Sequence, residues 1–259
     1  MKFSFVIPTM NSDLYLNDCL RSLDSQTYKN IELIIVDKDS TDNTHNIIKN
    51  YKNLNIKIFQ QIDNNPENAV ALGFKKCTGD FIQFLGSDDL LQNNEVLQKL
   101  SEKISINDLL VYCDYSQINK YGVTIKNINV KFNYDELLNY GNLVCATSFL
   151  FNKSLFKKYG FDGKEGFDLH LMLRFGKLYN PTKVNLYYSY FRVHNQSHSG
   201  NFKKNLRNFK YDYDISRSYG GTFLNNYSLR YHIVLILKFL KLLWIADLKR
   251  NISWKYKNF

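Results

Sequence analysis

Two pairs of carboxylates stand out as residues able to do chemistry together. Asp37 and Asp39 follow one apolar run directly, and Asp88 and Asp89 follow another after two small residues. Carboxylates brought close together repel one another unless a cation or hydrogen-bond donors offset their charge. A divalent cation, Mg²⁺ or Mn²⁺, that bridges a carboxylate and a diphosphate provides such an offset. The pairs therefore predict a site for a cation and a phosphorylated ligand, provided that the fold brings them together.

The same residues allow a plainer interpretation, in which they only cap helices and form turns. Ser40 and Asp42, taken singly, fit helix caps better than ligands. The order of the polar clusters along the chain favours the functional interpretation.

The elements that must position these carboxylates alternate between strand and helix over the first hundred residues. Apolar runs predict four strands, at 3–7, 31–36, 56–59 and 81–85, of which the first is expected to be buried. Helical spacing predicts three helices between them, around 16–23, at 43–52 and at 66–76. This pattern predicts an α/β fold, a doubly wound and mostly parallel sheet covered on both faces. Ligands of such sheets bind beyond the carboxyl ends of the strands, where both acidic pairs then meet.

The second half of the sequence continues without a repeat or a linker rich in Pro, Gly or Ser. Its patterns predict strands at 109–115, 123–130 and 186–193, and helices at 135–140, 154–159 and 167–178. We therefore predict one domain over residues 1–200, with halves at 1–105 and 106–200, and a helical tail over 201–259.

Composition narrows the classes of partner and compartment. Lys and Arg total 34 against 24 Asp and Glu, a net charge of +10, which indicates an anionic partner. The basic residues lie beside apolar helical sequence rather than in a recognised nucleic-acid module, so we expect no nucleic acid. The four cysteines are scattered without a C-x-x-C pair, which fits free thiols in the cytoplasm. We expect no signal peptide before the first strand and no membrane span.

Five short motifs carry a family resemblance. They are Pro8-Thr9-Met10-Asn11, Gln26-Thr27-Tyr28, the strand Glu32 to Asp37, Ser40-Thr41-Asp42 with Thr44, and Thr78-Gly79-Asp80-Phe81-Ile82. Their order and spacing resemble those of the GT-A-fold glycosyltransferases of family 2 over about residues 1–200. The resemblance implies the GT-A fold and the transfer of a sugar from a nucleotide-diphosphate donor.

The resemblance also implies which residues hold the donor. They are Pro8, Thr9, Asn11, Asp37, Asp39, Asp63 and Ser87. Within this set, Asp37 accepts a hydrogen bond from the donor base or ribose. Asp88 matches the last carboxylate of the family's Asp-x-Asp motif and would bind Mg²⁺ or Mn²⁺.

The chain departs from the family pattern at four places. Met10 replaces an aromatic residue, Lys38 replaces a common acidic residue, and Gly86 stands where the motif has its first carboxylate. An Arg-Asn pair that often precedes the fourth strand is Val70-Ala71-Leu72 here. These departures concern metal affinity and donor identity more than the fold.

The second half matches two further family features. The segment 167–174 aligns with a pattern at the start of a helix and makes Asp168 the implied catalytic base, which takes the proton of the acceptor hydroxyl. A carboxylate that only interacts with the helix dipole, or a one-turn shift to Glu165, is the alternative. Arg192 and His194 match an Arg-x-His loop, and the resemblance implies that they contact phosphate or complete the metal shell.

We therefore expect an inverting, metal-dependent glycosyltransferase of cell-surface polysaccharide synthesis, with a UDP-sugar as favoured donor and a saccharide or lipid-diphosphate-linked acceptor. The alternative function is a catalytically weakened relative that binds a nucleotide sugar or serves as a scaffold. A nucleotidyltransferase is disfavoured, because the first strand is not followed by a Gly-rich loop.

The tail contains a strongly apolar helix, predicted at 231–248, with basic and aromatic residues at its flanks. Such a helix suits the surface of an anionic membrane, and its lysines disfavour a full crossing. We expect a peripheral protein on the inner face of the plasma membrane. A terminal helix packed on the domain or in a dimer interface is the alternative.

Overall fold

The structure is a computed structural model. It describes residues 1–63, 65–140, 145–160, 167–194 and 202–222, and the four later positions 229, 232, 233 and 236.

The described residues form one nine-stranded sheet with helices on both sides. The strands are β1 Phe3–Thr9, β2 Ile31–Asp37, β3 Ile56–Gln60, β4 Phe81–Phe84, β5 Leu90–Leu91, β6 Leu110–Ile118, β7 Thr124–Ile128, β8 Phe149–Asn152 and β9 Thr182–Arg192. The helices are α1 Asp13–Asp24, α2 Thr44–Asn50, α3 Pro66–Lys76, α4 Val96–Lys103, α5 Tyr134–Tyr140, α6 Lys153–Tyr159, α7 Phe167–Gly176 and α8 Phe202–Ser218.

The strand order places the ends of distant strands at one edge. The order is β3-β2-β1-β4-β8-β6-β9-β5, and β7 pairs with β6. The first four strands in this order are parallel. Because β8 is antiparallel to both β4 and β6, and β9 is parallel to β6, the strand β9 runs in the direction of β4. The carboxyl ends of β1, β2, β4 and β9 therefore face the same edge of the sheet.

Each face of the sheet buries its own core, because successive side chains of a strand point to opposite faces. In β1, Phe5 and Ile7 pack in the core under α1, α2 and α4. Their neighbour Val6 packs in the core under α3 and α7. This doubly covered sheet is the fold that the sequence predicts.

The predicted elements of both halves are present, with ends shifted by a few residues. Three elements are additional to the prediction: β5, α4 and β8. The two residues of β5 are too few to show a period, and β8 has only three apolar residues before Asn152. Strand β8 matters for the topology, since it joins the parallel half to β6 and β9.

The start of the predicted tail packs on the domain. In α8, Ile215 and Ser216 are buried, and the Ser216 hydroxyl donates to the Leu138 carbonyl oxygen of α5 at 2.6 Å. Most of the predicted helix 231–248 lies outside the described residues, and the positions described there, 232, 233 and 236, are helical. Among the described helices, none combines the length and the apolar character needed to cross a membrane.

A buried carboxylate ties the strands together at the opposite edge of the sheet. The Glu32 side chain is fully buried and accepts hydrogen bonds from Ser4 Oγ at 2.6 Å, Thr78 Oγ1 at 2.7 Å and Lys2 Nζ at 2.9 Å. Burial alone would raise the pKa of this carboxyl, but the hydrogen bonds from Ser4, Thr78 and Lys2 outweigh it and hold the pKa well below its usual range. Glu32 is therefore charged and internally neutralised.

We expect Glu32→Gln to lower the free energy of unfolding by about 2 kcal/mol at pH 7, because hydrogen bonds to a charged acceptor are lost inside the protein. A carboxyl whose pKa falls on folding stabilises the protein above its unfolded pKa, roughly 4.3, and loses that contribution as the pH falls. The difference between the two proteins should therefore shrink to roughly half at pH 3.5.

Urea unfolding of both proteins at pH 7 and pH 3.5 measures this difference. Glu95→Gln is the control, because the exposed ion pair of Glu95 with Lys99 contributes about 0.5 kcal/mol at most at either pH. An equal loss for Glu32→Gln at both pH values would contradict the assignment.

Candidate active site

The ends of β1 and β2 are joined through Asp37. Its Oδ1 atom accepts from the hydroxyls of Thr9 at 2.7 Å and Ser40 at 2.6 Å, and its Oδ2 atom accepts from the Ser40 backbone N–H at 2.9 Å. His45 Nε2 lies 3.2 Å from the same Oδ2 atom. Burial tends to raise the pKa of Asp37, but the bonds from Ser40 and Thr9 lower it overall. The predicted contact between Asp37 and the donor base stays a prediction, and here the carboxylate organises the two strand ends.

Two residues with positive φ shape the turns after these strands. They are Asn11, with φ of 48°, and Asp39, with φ of 47°, the non-glycine residues in this region of φ among those described. Asn and Asp tolerate this conformation better than other side chains. The Asn11 backbone N–H donates to Ser40 Oγ at 2.9 Å, and Asn11 Oδ1 accepts from the Thr41 N–H at 2.9 Å. Asn11 thus locks the loop after β1 to the loop after β2.

Asp39 and Asp63 lie on an exposed rim beside this pair of loops. Lys38 Nζ is 2.7 Å from Asp39 Oδ2 and 3.5 Å from the Ile62 carbonyl oxygen. Asp63 accepts hydrogen bonds from Asn68, Gln61 and the Asn65 N–H, and so it fastens the start of α3. The bonds from Asn68 and Gln61 lower the pKa of Asp63, as those from Lys38 and Gln60 lower the pKa of Asp39.

The loops after β4 and β9 meet at Asp88. One carboxylate oxygen of Asp88 lies 2.8 Å from His194 Nε2, and both side chains are more buried than exposed. The loop after β4 also reaches the loop after β1, because Ser87 Oγ donates to Ser12 Oγ at 3.1 Å. The predicted residues Ser87, Asp88 and His194 therefore lie together with Thr9 and Asn11 at one edge of the sheet. Pro8 occupies the end of β1, beyond the residues that pair with β4.

Asp89, which follows Asp88 in the chain, is buried. Burial raises the pKa of the Asp89 carboxyl well above its usual range, and the neighbouring charge of Asp88 raises it further. The Arg192 backbone N–H donates to Asp89 Oδ1 at 2.8 Å and opposes this effect. The turn thus leaves the Asp88 carboxylate partly exposed and encloses that of Asp89.

Arg192 is buried, and its guanidinium bonds to the protein on several sides. Its Nε atom donates to the Asp88 carbonyl oxygen at 2.9 Å, and one terminal nitrogen lies 3.0 Å from Asp18 Oδ2. The other terminal nitrogen donates to the Lys120 carbonyl oxygen at 3.3 Å, and the Tyr15 ring lies 4.5 Å from the guanidinium carbon. The predicted contact of Arg192 with phosphate stays a prediction. In this structure Arg192 fixes the turn that carries Asp88.

The turn around Gly86 has no room for a side chain at that position. A Cβ atom at position 86 would lie 2.6 Å from Asp89 Oδ2 and 2.7 Å from Asp88 Oδ1. Any side chain there would force both carboxylates to move. The compact turn at Gly86 is therefore part of how Asp88 and Asp89 are arranged in this chain.

The donor atoms of the Asp88 and His194 pair fit a divalent cation. Mg²⁺ is commonly held by one or two carboxylates together with substrate phosphates, and Mn²⁺ also accepts imidazole nitrogen. Within the residues that the structure describes, no three His, Cys, Asp or Glu side chains are grouped as a metal site. Two protein ligands leave the remaining positions to phosphate oxygens and water.

The predicted base lies at the start of a helix, as expected. Asp168 is the second residue of α7, and its side chain is outside the described part of the structure. Glu165, the alternative base, lies outside the described residues. The assignment of the base stays a prediction.

The sequence patterns do not predict three residues of this edge: Tyr15, Asp18 and His45. Tyr15 and Asp18 lie in α1 away from its buried stripe, where a sequence pattern does not distinguish them from surface residues. His45 lies at the start of α2, just after the Ser-Thr-Asp motif. Its closeness to this motif is the sequence feature that could have identified it as a site residue.

Comparison with known proteins identifies the family. The model of the family described as glycosyl transferase family 2 matches residues 4–160, more than half of the chain. The chain therefore belongs to glycosyl transferase family 2, and the predicted family is confirmed.

Relatives in sequence are bacterial glycosyltransferases. The chain is 28% identical over 208 residues to the Escherichia coli UDP-Glc:alpha-D-GlcNAc-diphosphoundecaprenol beta-1,3-glucosyltransferase WfgD, and the match covers 79% of this chain and 82% of that protein. It is 33% identical over 137 residues to an uncharacterized glycosyltransferase of Haemophilus influenzae, covering 52% of this chain. That match spans about half of the relative's own length, 55%.

Solved structures confirm the predicted GT-A fold. Staphylococcus aureus TarS 1–349 in complex with UDP-GlcNAc superposes with a TM-score of 0.65 at 23% identity, covering 83% of this chain and 65% of that chain. The mannosyltransferase PcManGT of Pyrobaculum calidifontis, in complex with GDP-Man and Mn²⁺, gives a TM-score of 0.62 at 15% identity and covers 83% and 62% of the two chains. At these identities the likeness concerns the fold alone.

Proposed function

We propose that this protein is an inverting glycosyltransferase that moves a sugar from a nucleotide-diphosphate donor to a saccharide acceptor in cell-surface polysaccharide synthesis. The observation that carries the proposal is the contact between Asp88 and His194. This contact lies at the edge of the sheet where the carboxyl ends of β1, β2, β4 and β9 come together. A carboxylate and an imidazole at this edge suit a cation that binds a diphosphate.

A UDP-sugar is the favoured donor, and a lipid-diphosphate-linked saccharide is the favoured acceptor. Support comes from WfgD, whose name specifies UDP-Glc and a diphosphoundecaprenol-linked acceptor, and which aligns over 79% of this chain. The names of the relatives specify different sugars, a glucosyl group for WfgD and an N-acetylglucosaminyl group for TarS. The proposal therefore leaves the transferred sugar open.

In the proposed reaction, the acceptor hydroxyl oxygen attacks the anomeric carbon of the donor sugar. The bond between that carbon and the diphosphate oxygen breaks, and the nucleoside diphosphate leaves with the electron pair. Asp168 takes the proton of the hydroxyl as the bond forms. A single displacement of this kind inverts the anomeric centre and needs no covalent intermediate with the protein.

The chain's own residues prepare this step by holding charge in place. Asp88 and His194 would hold Mg²⁺ or Mn²⁺, and the cation, when bound, stabilises the negative charge that develops on the leaving diphosphate. Arg192 keeps the Asp88 turn fixed through the Asp88 carbonyl oxygen. Asp37 and Asn11 keep the loops after β1 and β2 in register beside it.

We expect Asp88→Asn to reduce transfer about a hundredfold or more, because one charge-stabilising contact to the leaving group is lost. The measurement is the rate of sugar release or transfer from a panel of nucleotide sugars with Mn²⁺ present. Asp214→Asn, on an exposed face of α8, is the control and should retain full activity.

Wild-type activity in excess chelator, or full activity of Asp88→Asn, would refute the metal assignment. Donor binding by the wild type with no transfer to any acceptor would favour the alternative, a binding or scaffold protein. The observation that favours this second candidate function is Gly86, which stands where the family motif has its first carboxylate.

The base is tested by a pair of variants. Asp168→Asn should lose transfer and still bind the donor, because the base acts on the acceptor hydroxyl. Glu165→Gln should retain transfer. Donor affinity, measured by calorimetry beside the transfer rate, separates the two effects, and the reverse pattern would move the base to Glu165.

We also propose that the tail attaches the protein to the inner face of the plasma membrane. The segment 231–248 is mainly apolar and contains Lys238 and Lys241, and Lys249 and Arg250 follow it directly. A surface-bound helix of this composition gains on the order of 1 kcal/mol per basic residue near anionic lipid. Of the positions described there, Ile233 and Ile236 are exposed, as is Leu229 just before them.

Full-length protein should therefore sediment with anionic liposomes and be partly released by high salt, since salt screens the charges. A truncation after Ser228 should stay in the supernatant while donor binding persists. The membrane proposal would be overturned if the truncated protein sediments with the liposomes as much as the full-length protein does. It would also be overturned if neither protein sediments with them.

A further inference from the structure

Tyr15 lies between the two basic residues that the site depends on. Its ring centroid is 4.5 Å from the Arg192 guanidinium carbon and 4.7 Å from the centroid of the His194 ring. Tyr15 belongs to the first turns of α1, whereas Arg192 and His194 lie at and just after the end of β9. One aromatic ring thus links the helix after β1 to the loop that carries the candidate metal ligand.

Arg192 provides a fixed surface for this ring. Its guanidinium is held by the Asp88 carbonyl oxygen, the Lys120 carbonyl oxygen and the Asp18 carboxylate. A guanidinium over an aromatic face is attracted by the ring quadrupole, more strongly when water is excluded. Because Arg192 is buried, the Tyr15 ring has a defined place against it.

His194 is the second group that the Tyr15 ring contacts. Strand β9 ends at Arg192, so His194 is two residues beyond the regular part of the strand. The imidazole contacts the Tyr15 ring, and its Nε2 atom lies 2.8 Å from Asp88 Oδ2. The direction of the imidazole is therefore coupled to the position of the Tyr15 ring.

We infer that Tyr15 is a positioning residue: packed against Arg192, its ring holds the His194 imidazole beside Asp88 and so sets the affinity of this pair for the divalent cation. This inference rests on the proposed function, which supplies the cation. Residues that orient a metal ligand typically change metal affinity or activity about 10- to 100-fold when they are replaced.

The test separates the ring from its hydroxyl and from general packing. Tyr15→Phe keeps the ring, and Tyr15→Leu removes it. Tyr51→Leu is the matched control, because Tyr51 is another half-buried tyrosine that packs on the α1 side of the sheet and bonds to Asn17 of α1 without contacting Arg192 or His194. The measurements are the Mn²⁺ affinity with UDP as the probe, by calorimetry, the Mn²⁺ concentration that gives half-maximal transfer, and the rate at saturating Mn²⁺.

We expect Tyr15→Leu to raise the half-maximal Mn²⁺ concentration about tenfold while the rate at saturating Mn²⁺ recovers most of the wild-type value. Tyr15→Phe should restore the wild-type Mn²⁺ dependence. Tyr51→Leu should lower thermal stability and leave the Mn²⁺ dependence unchanged. A role in packing alone would move stability in both leucine variants and Mn²⁺ dependence in neither.

A second pair of variants decides the matter if Tyr15→Leu does not fold. Asp18→Asn weakens the anchor of Arg192 and should raise the half-maximal Mn²⁺ concentration a few-fold. Arg21→Gln removes the exposed partner of the same Asp18 carboxylate and should leave the half-maximal Mn²⁺ concentration unchanged.

An unchanged Mn²⁺ dependence in Tyr15→Leu, with a metal-activated wild type, would overturn this inference alone. A wild type that transfers equally well in chelator would overturn the metal part of the proposed function and this inference with it.

Discussion

The adjacent carboxylates Asp88 and Asp89 impose the constraint on which the rest of the site depends. Two negative charges in neighbouring residues, one of them fully enclosed, are unfavourable unless the surroundings offset them. The chain offsets them from β9, where the Arg192 N–H binds Asp89 and His194 meets Asp88. The turn is compact because Gly86 leaves no side chain in the space that both carboxylates occupy. The cation that we propose at Asp88 would add further positive charge at the carboxylate that the turn leaves partly exposed.

The topology makes this compensation possible between residues that are distant in sequence. Asp88 and His194 are 106 positions apart, yet they meet because β9 runs in the direction of β4. The loops after β1 and β2 are joined at the same edge by Asp37 and Asn11. At the opposite edge, Glu32 performs a purely structural role with hydrogen-bond donors on several sides. The acidic residues of this sheet therefore lie at two edges: Glu32 holds the strands together at one edge, and Asp37, Asp88 and Asp89 lie at the other, where we propose that the donor binds.

Most of the first half of the fold could be predicted from the sequence, because β1, β2 and β4 are mainly apolar and the helices α1 to α3 between the strands follow helical spacing. The short strand β5 and the helix α4 in the same half were not predicted. That pattern alone is enough to place Asp37 and Asp88 at the same edge of a parallel sheet. The partners of Arg192 could not be predicted, because they come from Asp18 and Lys120, which are 174 and 72 positions away. The contribution of Tyr15 was hidden for the same reason: on its own helix it resembles any surface aromatic residue. The short strand β8, which sets the direction of β9, has only three apolar residues before Asn152, a run too short to identify a strand from the sequence.

The central claim is that this edge of the sheet binds a nucleoside diphosphate through a divalent cation. Thermal unfolding of the wild-type protein with UDP, GDP and their sugars, each with Mn²⁺ and with chelator, tests it most directly. We predict that at least one nucleotide raises the melting temperature by about 5 °C or more at a hundredfold excess over its dissociation constant, and only when Mn²⁺ is present. An equal rise of the melting temperature in chelator would contradict this claim. So would the absence of any rise with all of these nucleotides in the presence of Mn²⁺.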